Sequence, residues 1–196
     1  MLLPICKFGT PVLREKGAPV TVFDDALARL ATDMLDTMRA AKGIGLAAQQ
    51  IGRALQFFVI DIPDGKPGTP LSFAFTLDGR EVPREVVMPL AVANPEVEIL
   101  PDDEWLESEG CLSFPGLNGR VARREKVRMG YQDVSGARHE IICDGLFARC
   151  IQHEFDHCQG VLFIDRMEKP DLLKIQTKIK QLKRETAASL RAFGKA

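Results

Sequence analysis

Residues 152–160 read QHEFDHCQG, placing two of the chain's three histidines, His153 and His157, four positions apart with Glu154 directly after the first. On a helix, positions 153 and 157 stand one turn apart on the same face, so both imidazoles can reach one metal ion. Glu154 lies about 100° further round, close enough to serve water beside that ion without becoming a ligand. The chemistry this offers is metal-assisted hydrolysis: the ion polarises a carbonyl and acidifies water, while the carboxylate carries the proton. Ordinary surface residues or a purely structural metal would give the same letters. With so few histidines in the chain, however, an HExxH arrangement by accident is improbable, and a catalytic metal is the expectation.

A catalytic site ordinarily has three protein ligands and one open position, and the motif leaves the third ligand open. The extended HExxHxxGxxH pattern has its glycine at Gly160, but Phe163 stands where its last histidine would be. Glu168 lies very near in sequence, and Glu185 falls in a basic, solvated stretch. His139 follows Arg138 in an expected strand whose orientation the sequence does not indicate. Cys111, in EGCLS at 109–113, is the strongest remaining candidate, although a cysteine beside a leucine is more often a small buried hydrophobe.

The elements that must position these groups follow from periodicity. Leu27, Leu30, Met34, Leu35 and Met38 recur at helical spacing, predicting a helix capped by Asp24 or Asp25, running to about Ala41 and ended by Gly43. LQFFVIDI at 55–62 predicts a buried strand. Residues 63–89, with five prolines and a DG pair at 78–79, predict a surface excursion with room for a small hairpin; a tolerated loop insertion is the plain reading. Strands are expected around 90–100 and across 126–142, the latter pair turning at 134–137, and the Gly- and Pro-rich segment between is not expected to be helical. The pattern becomes helical from about Asp144 to Gln159, with Gly160 as its stop, so the HExxH motif sits on a helix. From Asp171, Leu172, Ile175, Ile179 and Leu182 form one stripe of an amphipathic C-terminal helix (171–196). Strands first and motif helix later, without strict βαβ alternation, predict an α+β fold with mainly antiparallel sheets around the motif helix.

The chain's 196 residues suit a single domain, 1–196, able to bury its own core, and hydrophobic residues at 45% with charged residues at 27% are ordinary for a globular protein. A net charge of −1 gives no global reason to expect nucleic acid or an anionic membrane as partner. No apolar run approaches the roughly 20 residues that span a bilayer. The opening MLLPICKFGT lacks a basic region followed by an apolar stretch and a cleavage site, and the five cysteines form no CxxC pair. A reducing, cytoplasmic setting is therefore expected.

Three segments, GIGLAAQQ at 43–50, EGCLS at 109–113 and QHEFDH at 152–157, together resemble the three signature motifs of the peptide deformylases, in that family's order. TPVLREKGAPV near the start and VLFIDRM after the third motif extend the resemblance over nearly the whole chain. The resemblance implies that Cys111, His153 and His157 bind the metal, that Glu154 is the general acid/base, and that Gln50 and the Leu112 N–H stabilise an oxyanion. Gly43 and Gly45 would let an extended peptide approach the backbone closely, a reading compatible with their plain roles as a helix cap and a turn. Gly110 is a further expected substrate-binding residue, and Ile44, Leu146, Cys150 and the His153 ring are the expected walls of a methionine pocket. The implied reaction removes the N-formyl group from the initiator methionine of nascent chains, releasing formate. Ferrous iron is the implied metal, with Ni, Co or Zn able to substitute. A monomer is expected, with ribosome contact through the basic C-terminal helix as an implied option. A zincin-like endopeptidase using a later acidic ligand is the alternative.

Some neighbouring positions are less determined. Asp156 reads equally as a carboxylate that orients a histidine or as a surface residue. Glu109 and Arg123 resemble a family pair bracing the metal loop, against the plain reading of a surface ion pair. Gln49 and Cys158 depart from the family's usual residues, with expected effects on pocket shape and an added thiol near the metal.

Overall fold

The computed structural model describes residues 1–63 and 73–193. Part of the excursion expected at 63–89, and the last three positions of the expected C-terminal helix, therefore lie outside the described residues. Eight strands are described: β1 (Gly45–Ala47), β2 (Phe57–Ile60), β3 (Phe75–Leu77), β4 (Leu90–Ile99), β5 (Glu104–Gly110), β6 (Asn118–Arg124), β7 (Lys126–Gln132) and β8 (Arg138–Asp144). The helices are α1 (Asp25–Ala40), α2 (Arg84–Val87), α3 (Gly145–Cys158), α4 (Phe163–Arg166) and α5 (Lys169–Phe193), with short 3-10 turns at Pro11–Arg14 and Ala48–Ile51. Six strands form one sheet in the order β1-β2-β4-β7-β8-β3, and β5 pairs with β6 in a separate ribbon; every pairing between these strands is antiparallel. The α+β expectation with antiparallel sheets and a C-terminal helix is met.

β2 explains how one sheet serves two layers. All four of its residues are buried, and successive side chains point to opposite faces. Phe58 and Ile60 join Phe147, Ala148 and Ile151 of α3 in one core, while Phe57 and Val59 join Leu30, Met34 and Met38 of α1 in another. A third core lies between the β5–β6 ribbon and α5, where Phe114, Val121 and Phe163 meet Ile179, with Leu172, Ile175 and Leu182 packed against them. The stripe read on the C-terminal helix is thus its docking face.

Local chemistry sets the ends of the elements. Asp24 caps α1, its carboxylate accepting from the backbone N–H groups of Ala26 and Leu27 at 2.9 and 3.0 Å. The left-handed residue after α1 is Lys42 (φ 59°), not the expected Gly43, although the Gly43 N–H does bond back to the Met38 carbonyl. Gly160 (φ 72°) closes α3 as expected, and a Cβ there would press on the backbone of Arg14.

Two departures from the sequence reading matter. The Asp78–Gly79 pair does make a tight turn, with Leu77 and Arg80 bonded to each other, but its leading strand β3 pairs with β8. What reads as a loop insertion therefore supplies an edge strand of the main sheet. The second is the β5–β6 ribbon, seven residues long in each strand, which the sequence analysis passed over.

Candidate active site

Three segments distant in sequence meet along one side of α3. The first is an edge of the main sheet: among the described residues β1 pairs with β2 alone, and the 3-10 turn that follows carries Gln50. The second is the end of β5, where Glu109 and Gly110 lead into Cys111 and a turn closed by the Phe114 N–H on the Cys111 carbonyl. The third is α3 itself, with His153, Glu154 and His157 on its inward side. Together they line a cleft of about 740 Å³.

Cys111, His153 and His157 are the one group of histidine, cysteine or carboxylate side chains among the described residues able to hold a metal, with donor atoms within 4.8 Å of one another. The Cys111 sulfur lies 3.4 Å from His157 Nε2. Two ligands at ordinary zinc–sulfur and zinc–nitrogen lengths in a tetrahedron stand about 3.6 Å apart. His153 spends its Nδ1–H on Glu109 at 3.0 Å, leaving Nε2 for an ion. One thiol and two imidazoles thus fit a divalent transition metal in number, type and spacing. The alternative third ligands are elsewhere: the His139 ring bonds Asp78 and Asp133, and Glu185 accepts from Gln181.

Glu154 is 3% exposed, and its Oε2 has no hydrogen-bond partner among the described residues. Burial pushes its carboxyl up to about 7, with the nearby His153 pulling the other way. A buried carboxyl at that value suits proton transfer near neutral pH. Gln50 is held by the Ala47 N–H on its Oε1 at 2.9 Å, while its Nε2 lies 3.3 Å from both the Cys111 sulfur and the Ser113 hydroxyl. The amide donor is therefore aimed at the donor cluster. Leu112 follows Cys111 directly, and its carbonyl accepts from Lys7 Nζ at 3.2 Å.

The other expected residues fall at the same place. Gly43, Ile44, Gly45, Gly110, Leu146 and Cys150 all line the cleft. Gly45 has a definite reason to lack a side chain, because a Cβ there would overlap the Glu154 carboxylate. The Cys150 thiol faces the Ile44 carbonyl at 3.8 Å, and burial raises it well above the ordinary thiol value.

Around the cluster runs a buried chain of charges. Glu109 accepts Arg123 Nε and Nη2 at 2.9 and 3.0 Å, Arg149 Nη1 at 2.7 Å and the His153 ring. Burial alone would raise its carboxyl, but the bonds from His153 and Arg123 outweigh burial and hold it well below the usual carboxylate range. Arg123 continues to Asp156 at 2.5 Å, which also takes two bonds from Arg166. Glu109 and Arg123 are therefore a buried pair, not a surface one. Asp156 binds arginines, so the carboxylate that orients a histidine is Glu109. Gln49 is fully buried with its amide on the Leu55 carbonyl, and the Cys158 sulfur faces that same carbonyl. Neither is part of the cleft lining or the metal cluster. Lys7 and Arg149, absent from the sequence reading, do line the cleft. Arg149 had a signal, since it precedes His153 by one helical turn.

Fold and donor set define the class as metal-dependent hydrolases. The polypeptide deformylase family model matches residues 2–172, and the chain belongs to that family. A peptide deformylase of Opitutus terrae is 48% identical over 192 residues, covering 96% of this chain and 97% of the relative. One from Methylacidiphilum infernorum is 41% identical, covering 95% and 96%. Among solved structures, a Plasmodium falciparum peptide deformylase superposes with a TM-score of 0.80 at 35% identity, covering 94% of this chain and 97% of that one. A Synechococcus elongatus peptide deformylase in complex with actinonin gives 0.76 at 37%, covering 91% and 86%.

Proposed function

We propose that this chain hydrolyses the N-formyl group from the N-terminal formyl-methionine of newly made polypeptides, releasing formate and a free amine. The observation that carries this reading is the Cys111, His153 and His157 cluster with the buried Glu154 carboxylate beside it, its Oε2 without a hydrogen-bond partner among the described residues, in a chain of the deformylase family. A divalent ion held by these three side chains would polarise the formyl carbonyl and acidify water.

The chain's own groups do the rest. Glu154 accepts the proton of the attacking water as its oxygen bonds the formyl carbon. It then delivers that proton to the nitrogen as the C–N bond breaks. Gln50 Nε2 and the Leu112 N–H donate to the oxygen that carries negative charge between those two events. Ile44, Leu146, Cys150 and the His153 ring take the methionine side chain. Gly43, Gly45 and Gly110 keep the cleft walls low enough for an extended peptide backbone to lie against the edge of β1.

The metal we assign is ferrous iron, with Ni, Co or Zn as substitutes, since one thiolate and two imidazoles suit all four. Oxidation of Cys111 would remove a ligand, making the iron form sensitive to peroxide. We further assign the chain to the cytoplasm as a monomeric single domain. The exposed basic residues of α5, including Lys174, Lys178, Lys183 and Arg191, are offered as a ribosome contact.

The test is formate release from formyl-Met-Ala-Ser by anaerobically prepared protein reconstituted with Fe(II) or Ni(II), beside Glu154→Ala. Metal-dependent release, absent from the variant, is expected. A protein that binds metal, yields no formate and cuts unblocked peptides internally would be an endopeptidase instead.

A further inference from the structure

Resting on that reading, we infer that Arg149 is a positioning residue for the metal ligand His153, acting through Glu109. Arg149 and His153 are four positions apart on α3, so both side chains leave the helix on one side and reach the same carboxylate. Arg149 Nη1 bonds Glu109 Oε1 at 2.7 Å, and His153 Nδ1 bonds Glu109 Oε2 at 3.0 Å. The two contacts sit on opposite oxygens of one rigid, planar group.

Arg123 grips Glu109 in a flat two-pronged pair, one nitrogen to each oxygen. A single fork of this kind fixes the carboxylate relative to Arg123, but Arg123 itself is shared with Asp156. Arg149 supplies a second anchor from another element. Its Nη1 also bonds the Val121 carbonyl of β6 at 3.0 Å, and its Nη2 bonds the Trp105 carbonyl of β5. The guanidinium carbon lies 4.7 Å from the Trp105 ring centroid, and the residue is 5% exposed. The direction in which Glu109 faces His153 is thus set by β5, β6 and α3 together. An arginine is needed because one planar head must meet three acceptors; lysine keeps the charge without that fork.

The experiment measures cobalt affinity of the metal-free protein by competition with a chelator, for wild type, R149M, R149K, E109Q and E109Q/R149M. The visible absorption of the bound Co(II) reports ligand geometry, and formate release is read in parallel. Expected are a roughly tenfold loss of affinity with altered absorption in R149M, partial recovery in R149K, and little further loss when R149M is added to E109Q. Wild-type affinity and absorption in R149M with only a lower melting temperature would overturn the inference. So would losses that multiply in the double variant. Should R149M fail to fold, R149Q carries the same comparison with the same two deciding outcomes. Wild type that binds cobalt but releases no formate would sink the deformylase reading alone, because the affinity comparison stands without turnover.

Discussion

Gly45→Ala tests whether the position of Glu154 governs turnover. A Cβ at Gly45 would overlap Glu154 Oε1 and come within 2.8 Å of its Cδ and 2.9 Å of its Cγ. Gly45 is fixed in register opposite Ile60, and Glu154 is almost fully buried, so the carboxylate must give way. Overpacking of one methyl costs about 1–3 kcal/mol, a fall in melting temperature of roughly 2–12 °C for a chain of this size. A displacement of about 1 Å at a reacting group costs on the order of 100-fold in rate, or about 2.7 kcal/mol in the barrier. The three atoms nearest the new methyl all belong to Glu154 and none to Cys111, His153 or His157. The expected result is therefore a folded protein with wild-type metal content, kcat down about 100-fold, and a smaller change in KM. Steady-state formate release with metal analysis and a thermal melt on the same preparation decides it. Wild-type kcat, or activity falling only in proportion to metal, would refute the reasoning.

Three further outcomes are expected. Cys111→Ala should lose metal and turnover together, measured by metal analysis after gel filtration; full activity in this variant would return the third ligand to another residue. Glu154→Gln should keep its metal and lose turnover by about 10²–10⁴-fold, the usual range for a removed proton carrier; retained activity would remove Glu154 from that role. His139, bonded first to Asp78 and also facing Asp133, has its pKa raised in the folded chain. Its stabilising effect is then fully present below the unfolded value of about 6.5 and is lost as pH rises through the folded value. His139→Gln should therefore cost about 0.2–1 kcal/mol at pH 5.5 and nothing near pH 9 by urea titration; a pH-independent cost would rule out the charged contact.

The candidate residues His153, Glu154 and His157, with α1, α3 and most of the main sheet, were legible because their signals are local, whereas Cys111 stood out only through the resemblance carried by three separate motifs. Helical spacing writes α1 and α3 into the order of apolar residues, and an all-apolar run such as FFVI needs no partner to be recognised. β5 was illegible because it inverts the usual pattern. Its one buried residue is Glu109, while Leu106 of the same strand is 42% exposed, so alternation points the wrong way. β3 failed for another reason: its partner, β8, lies more than 60 residues later, and short-range turn chemistry reveals only the Asp78–Gly79 bend. Asp156 read evenly as a histidine-orienting carboxylate or a surface residue because it stands directly before His157 in sequence, while Glu109 is 44 positions from His153, the ring it meets. Which carboxylate meets a ring depends on where the β5–β6 ribbon crosses α3.

That crossing explains why a stability-poor arrangement is present at all. Glu109, Arg123, Arg149 and Asp156 are each under a tenth exposed. Burying such charges forfeits hydration that their mutual attraction only partly returns, and well-packed apolar side chains of equal volume are often as stable or more so. Apolar packing is non-directional, however, and could not fix the rotation of the His153 ring or choose which of its nitrogens faces the cluster. The bonds that do so are anchored on α3, β5 and β6 at once, the same elements that carry His153, Glu154 and the approach to Cys111. The ribbon that looks peripheral in the sheet topology is thus the part that ties the thiol to the histidines. A chain lacking it would keep the main sheet's two cores and lose the geometry of the site.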